Sequence, residues 1–176
     1  MAAPRGNSER ICSLMAALAG KDGLARQRAR RALVAIGRPA VGRLVKALSA
    51  PTERLRWEAA KTLTEIPDAS AVPALIAALE DKNSGVCWLA AEALITLGRD
   101  SLIPLLRELT AHSGSASLRG AAHHILKAQR ARELRSVLAP VLEALSHFDP
   151  ELVAPVAAKD ALEELRKRKR SRRRGT

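Results

Sequence analysis

Few residues in this 176-residue chain have types and spacings suited to chemistry: two tryptophans, four histidines, two cysteines and a basic run near the C-terminus. Trp57 and Trp88 stand out because the chain has one phenylalanine and no tyrosine. Large aromatic side chains suit binding more than bond-making. The histidines, His112, His123, His124 and His147, are never followed by glutamate. Adjacent His123 and His124 diverge by about 100° on a helix and cannot both face one metal ion unaided. Cys12 and Cys87 form no C-x-x-C pair and no dense framework, so buried thiols are expected, a disulfide or metal site being the alternatives. The chain contains no Gly-rich phosphate loop, no G-x-S-x-G and no H-E-x-x-H. These motifs are how phosphate cradles, nucleophile elbows and zinc hydrolases announce themselves. No catalytic residue, metal or cofactor is expected, and the protein is not expected to be an enzyme.

The elements that position these residues are helical. Hydrophobic residues make up 47% of the chain but aromatics only 2%, a balance that favours close-packed helices over sandwiches or barrels. No apolar run approaches the roughly 18 residues of a membrane span. "ICSLMAALAG" resembles a signal-peptide core, yet Glu9 precedes it and its pattern recurs later, so it reads as fold and a cytosolic location is expected.

The recurrence is periodic. "LMAAL" (14–18) returns as "LVKAL" (44–48), "LIAAL" (75–79) and loosely "LREL" (106–109), with leading leucines 30, 31 and 31 residues apart. A second pattern alternates with it: "ARRALVAIG", "AAKTLTEIP", "AAEALITLG" and "AAHHILKAQ". Its anchors Leu33, Leu63, Leu94 and Leu126 advance by 30, 31 and 32. Each period therefore holds two helices. Gly37, Pro67 and Gly98 end the second helix of a pair. Asp68, Ser70, Asp100 and Ser101 offer capping oxygens for the next, and Pro73 and Pro104 fall near its start. One such pair cannot cover its own apolar face, so neighbours must stack. The prediction is an all-α superhelix of about four to five helix pairs.

"LRWEAAKTLTEIPDASAVPALIAAL" and "VCWLAAEALITLGRDSLIPLLREL" resemble HEAT repeats of the short, phycobilisome-lyase-like kind, over about residues 10 to 146. The resemblance implies that the "VR..AA..AL..IG" helix lines a concave surface and the "..P.L...L" helix a convex one. The Val-Arg pair maps to Leu55-Arg56 and Leu118-Arg119, more loosely to Ala25-Arg26, and becomes Val86-Cys87 in the third repeat; the turn aspartate fits at Asp81. Catalytic proteins with similar repeats exist, but their marks are missing. The His-Glu pairs of deoxyhypusine hydroxylases are absent. The catalytic aspartate of alkylpurine glycosylases has only Glu92 in its place. No pigment site of phycobilin lyase subunits is recognisable. A lyase-like or glycosylase-like subunit remains a lesser alternative.

At about 100° per residue, Leu55, Ala59, Leu63 and Ile66 cluster on one side of their helix while Trp57 lies nearly opposite. The same arithmetic turns Trp88, Glu92 and Ile95 outward, with Leu89 half-exposed beside them. Lys61 shares Trp57's side; Arg31 in the first repeat, and His124 and Lys127 in the fourth, occupy the matching row. Arg31, Trp57, Lys61, Trp88, Leu89, Glu92, Ile95, His124 and Lys127 are thus the candidate partner-binding residues of a concave groove. Either the two indoles form an exposed apolar strip, or one of them folds over a neighbouring helix as core.

Net charge is +12 and the isoelectric point about 11.0, but the charge is concentrated. Arg166, Lys167, Arg168, Lys169, Arg170, Arg172, Arg173 and Arg174 supply eight positive charges, leaving the rest of the chain at +4, twelve less eight. Such a run attracts nucleic acid or another polyanion through phosphate, without sequence specificity, or else serves as a solubilising end. In a nucleated cell "RKRKR" would also act as a nuclear-localisation signal. The expected organisation is an N-terminal tail over 1–9, one solenoid over 10–165 with a capping helix over 149–165, and a basic tail over 166–176. The capping helix starts at either Asp149-Pro150 or Pro155. The expected function is a non-catalytic scaffold or adaptor holding a protein partner, the alternative being a nucleic-acid-associated protein.

Overall fold

The computed structural model describes residues 5–129 and 131–174, and every regular element among them is helical. Contacts divide the chain into a unit over 1–96 and another over 97–176.

The first unit contains α1 (Arg5–Ala19), α2 (Gly23–Ile36), α3 (Arg38–Ala47), α4 (Glu53–Leu63), α5 (Val72–Ala78) and nearly all of α6 (Ser84–Leu97). Local chemistry sets the boundaries. Asp22 accepts from the backbone N–H groups of Leu24 and Ala25 at 2.8 and 3.3 Å, opening α2. Gly37, at φ +70°, ends α2 in a conformation that L side chains rarely adopt, and α3 starts at the next residue with Pro39 in its first turn. Asp68 accepts from Ser70 N–H at 2.9 Å, the expected cap, in the short turn before α5. Asn83 Oδ1 caps α6 by accepting from Val86 N–H at 3.0 Å. Helix α1 begins at Arg5, so residues 5–9, expected as a tail, are helical.

Packing follows the repeat. α1 lies against α2 and α4, α2 against α4, and α3 against both α2 and α4. The anchors Leu33, Leu63 and Leu94 are at most 2% exposed; Leu44 and Leu75 are fully buried, as are Ala59 and Ala90. Each such leucine contributes about 1.5–3 kcal/mol by leaving water. The small alanines let the helix axes approach to roughly 8–10 Å.

The second unit contains α7 (Arg99–Ala111), α8 (Ala116–Ala128), α9 (Arg132–Leu145) and α10 (Pro150–Arg174). Gly98, at φ +56°, precedes α7. Ser101 was expected to cap; instead its buried hydroxyl donates to the Gly98 carbonyl at 2.7 Å. Helix α7 starts at Arg99, one turn earlier than Pro104 suggested. α8 packs on α7 and α9, and α10 packs on both α7 and α9. α10 starts at Pro150 and carries Pro155 inside it. Pro155 has no N–H for the Glu151 carbonyl four residues earlier. The Ser113 hydroxyl donates to that same oxygen at 2.9 Å, so a tertiary hydrogen bond replaces the missing helical one. The helix runs on through Arg174, well past the expected end at 165.

Candidate functional site

The tryptophans sit at equivalent places on α4 and α6, and their surroundings differ. Trp88 is 57% exposed. Trp57 is half-buried, because its indole lies against the first turn of α6: a β-carbon at Gly85 would stand 3.3 Å from Trp57 Cδ1 and Nε1. Of the alternatives open from sequence, the arrangement matches the second: one indole, Trp57, folds against the neighbouring helix, and Trp88 alone is exposed. Glu92 and Ile95, one and two turns beyond Trp88, are half-exposed, as is Lys61 on α4, while Arg31 on α2 is exposed.

Leu89 requires correction. It is 2% exposed and belongs to the core rather than to a surface strip. One residue beyond Trp88 the helix has turned by about 100° toward the packed side, and α6 buries Val86, Ala90, Ala91, Ala93 and Leu94 as well. His124 and Lys127 are exposed on α8, in the second unit.

A contact recurs from repeat to repeat at Arg26, Arg56, Cys87 and Arg119. Arg26 donates through Nη1 to the carbonyls of Gly20 and Lys21 at 3.1 and 2.7 Å, and Arg56 does the same to Ala50 and Pro51 at 3.1 and 3.3 Å. Arg119 donates to the Ser113 carbonyl. In the third repeat, where arginine is replaced, the Cys87 thiol lies 3.0 Å from the Asp81 carbonyl. In all four cases one acceptor is six residues earlier, in the turn before the helix, and Arg26 and Arg56 add a second acceptor five residues earlier. These contacts satisfy carbonyls that have no helical partner.

Three arginines also link repeats. Arg56 binds Asp81 by two parallel bonds of 2.6 and 3.0 Å. This bidentate pairing holds the Asp81 carboxyl below the usual carboxylate range, and a bond from Asn83 N–H adds to the effect. Glu58, 5% exposed, accepts from Arg26 at 3.0 Å and from Arg30 at 2.8 Å, tying α2 to α4. These carboxylates are acceptors within the fold, a structural use. Among the described residues, no three His, Cys, Asp or Glu side chains gather where a metal ion would fit.

The thiols differ from the expectation of burial. Cys12 is exposed, about 100° around α1 from the buried Ile11. Cys87 is half-buried; burial raises its pKa, and the Asp81 charge raises it further. Both are free.

In the basic run, Arg166, Lys167 and Arg170 are exposed on α10. Arg168 is not a free phosphate ligand: its Nε donates to Glu164 at 2.7 Å and its Nη1 to the Glu133 carbonyl at 2.6 Å, clasping α10 to α9. The side chains of Lys169, Arg172, Arg173 and Arg174 lie outside the described residues.

Sequence reasoning missed Gly85, whose position three residues before Trp88 in "SGVCW" gave no hint of an indole arriving from α4. It also missed an apolar surface at Phe148, Leu152 and Val156, which recurs every four residues in "FDPELVAPV" and was legible.

A family model of HEAT repeats matches the chain over residues 11–95 and again over 41–127. No curated protein matches it closely. No helix among the described residues is long and apolar enough to cross a membrane.

Proposed function

The chain belongs to the HEAT-repeat family, and we propose that it is a non-catalytic scaffold whose first unit holds a protein partner on the surface around Trp88. Trp57, whose indole packs on α6 at Gly85, and Ile95, two turns beyond Trp88, would extend the apolar surface, with Arg31, Lys61 and Glu92 as its polar residues. The observation that carries this reading is the 57% exposure of Trp88 in a chain that otherwise has one other tryptophan and one phenylalanine. An indole left in water costs solvation free energy that a partner recovers, and tryptophan is enriched among binding hot spots. A helical or extended segment suits a preformed helical surface of this kind. Arg31, Trp57, Lys61, Trp88, Glu92 and Ile95 all belong to the first unit, so the proposed surface is complete within it.

The test is a crosslinking pulldown from the native cell with wild-type protein and Trp88→Ala. A specific partner that wild type recovers and the variant loses supports the reading. Equal recovery by a variant with unchanged melting removes it.

A second reading, polyanion attachment by the C-terminal helix, is favoured by one observation. Arg166 and Arg170, one turn apart and both exposed, share a face of a continuous helix. It requires no change in the first.

A further inference from the structure

The second unit carries a groove unrelated to the tryptophan surface. It lies between α9 and α10, which run antiparallel: the turn at 146–149 joins them at one end, and Arg168 reaches the Glu133 carbonyl at the other. The groove has a volume of about 660 Å³, and its floor includes Val137, Pro140, Val153 and Ala157. Leu152 and Val156, which line it, are 69% and 62% exposed, and Phe148, in the turn before α10, is 91% exposed. A helix face left in water is normally polar. The first half of α10 instead exposes Leu152 and Val156, one turn apart, and the turn before it exposes Phe148.

Charge indicates what covers it. The rim presents Glu143, Asp160 and Glu164, and Arg168, the one arginine among its described lining residues, is already paired with Glu164. An acidic rim on a chain of net charge +12 is a local reversal of sign. A polyanion is repelled there. A second copy of this chain, placed symmetrically, would bring the same acidic rim against itself. We propose that this groove receives an amphipathic helix of another protein, its apolar stripe on the floor and its lysines or arginines against Glu143 and Asp160. A helix laid along two antiparallel helices makes a third layer by the packing that forms the rest of the fold.

The test uses two labelled synthetic peptides of about 18 residues, long enough to form helix on a surface. Both carry the same leucine stripe; one is flanked by lysine and arginine, the other by glutamate. Binding to the full chain is followed by fluorescence anisotropy, with sedimentation velocity on the chain alone. The basic peptide is expected to bind saturably and at least tenfold more tightly than the acidic one, against the sign of the chain's net charge. Leu152→Asp weakens it at least tenfold, and Phe148→Ser, at a position too exposed to affect folding, weakens it as well. Trp88→Ala leaves it unchanged, which separates this groove from the surface proposed above. Glu143→Lys with Asp160→Lys abolishes the preference for the basic peptide. No saturable binding below about 200 μM, equal affinity for both peptides, or indifference to Leu152→Asp and Phe148→Ser each overturns the proposal. So does self-association that Phe148→Ser removes, which would make a second copy the occupant.

Discussion

The Trp57 indole lies across Gly85, with Cδ1 and Nε1 both 3.3 Å from where a β-carbon on that glycine would stand. Glycine at this place lets the first turn of α6 come close enough for α4 to lean an aromatic ring on it. Trp88, at the same position one repeat later, remains 57% exposed. The two tryptophans therefore separate in their effects on stability.

Trp88→Ala is expected to change the unfolding free energy by no more than about 0.5 kcal/mol, as for exposed positions generally. Trp57→Ala should cost about 1–2 kcal/mol, because it removes half-buried apolar area. Thermal melts of both variants read the difference, and equal losses would contradict the packing of Trp57 on α6.

The anchor leucines should not tolerate a smaller side chain, and the alanines one turn before them should not tolerate a larger one. Leu63→Ala is expected to cost about 2–5 kcal/mol through lost burial and the cavity left behind. Ala59→Leu should cost about 1–3 kcal/mol by overpacking, since Ala59 is fully buried. Urea titrations would measure both. A neutral Ala59→Leu would mean that α4 has more room than its packing indicates.

Acid should weaken the Arg56–Asp81 link. The folded pKa of Asp81 lies below the ordinary value of 3.8, chiefly because of the Arg56 hydrogen bonds. The link thus contributes fully above the unfolded pKa, and its contribution is lost as pH falls through the depressed folded value. Asp81→Asn should be less stable than wild type at neutral pH and lose less on acidification. Parallel acid titrations of the two proteins, followed by circular dichroism, would check this.

The basic end should show itself through salt. If about five of its charges meet phosphate, log K against log salt should slope near −4.5. A chain ending at Arg168 should lose most of both affinity and slope. Ending it at Leu165 would confuse the result, because it also removes Arg168 and its hold on α9. Anisotropy with labelled DNA or RNA provides the readout, and unchanged binding by the shortened chain would remove the polyanion reading.

Much of the fold was legible because a 31-residue period repeats the same demand. Leu33, Leu63, Leu94 and Leu126 were picked out by spacing, and all four are buried. The Arg26, Arg56 and Arg119 contacts could be anticipated from the Val-Arg correspondence, and the exception at Cys87 was visible as a departure from it. Leu89 was misread because angular position on an isolated helix says nothing about how many neighbours that helix has. Cys12 was misread because α1 packs on α2 and α4 through the face that carries Ile11, and Cys12 lies about 100° from that residue. The start of α10 stayed open between Pro150 and Pro155. A proline inside a helix frees the carbonyl four residues earlier, and here Ser113, 38 residues before Glu151, donates to it.

The sequence by itself determined the helical class, the repeat length, the buried leucines and the concentration of positive charge at one end. All of these follow from periodicity and composition along a single chain. Tertiary structure decided which indole faces water, that Arg168 clasps a neighbouring helix, and that an acidic rim surrounds an apolar groove between α9 and α10. Each of these depends on side chains brought together from different helices, a proximity that spacing along one helix does not encode.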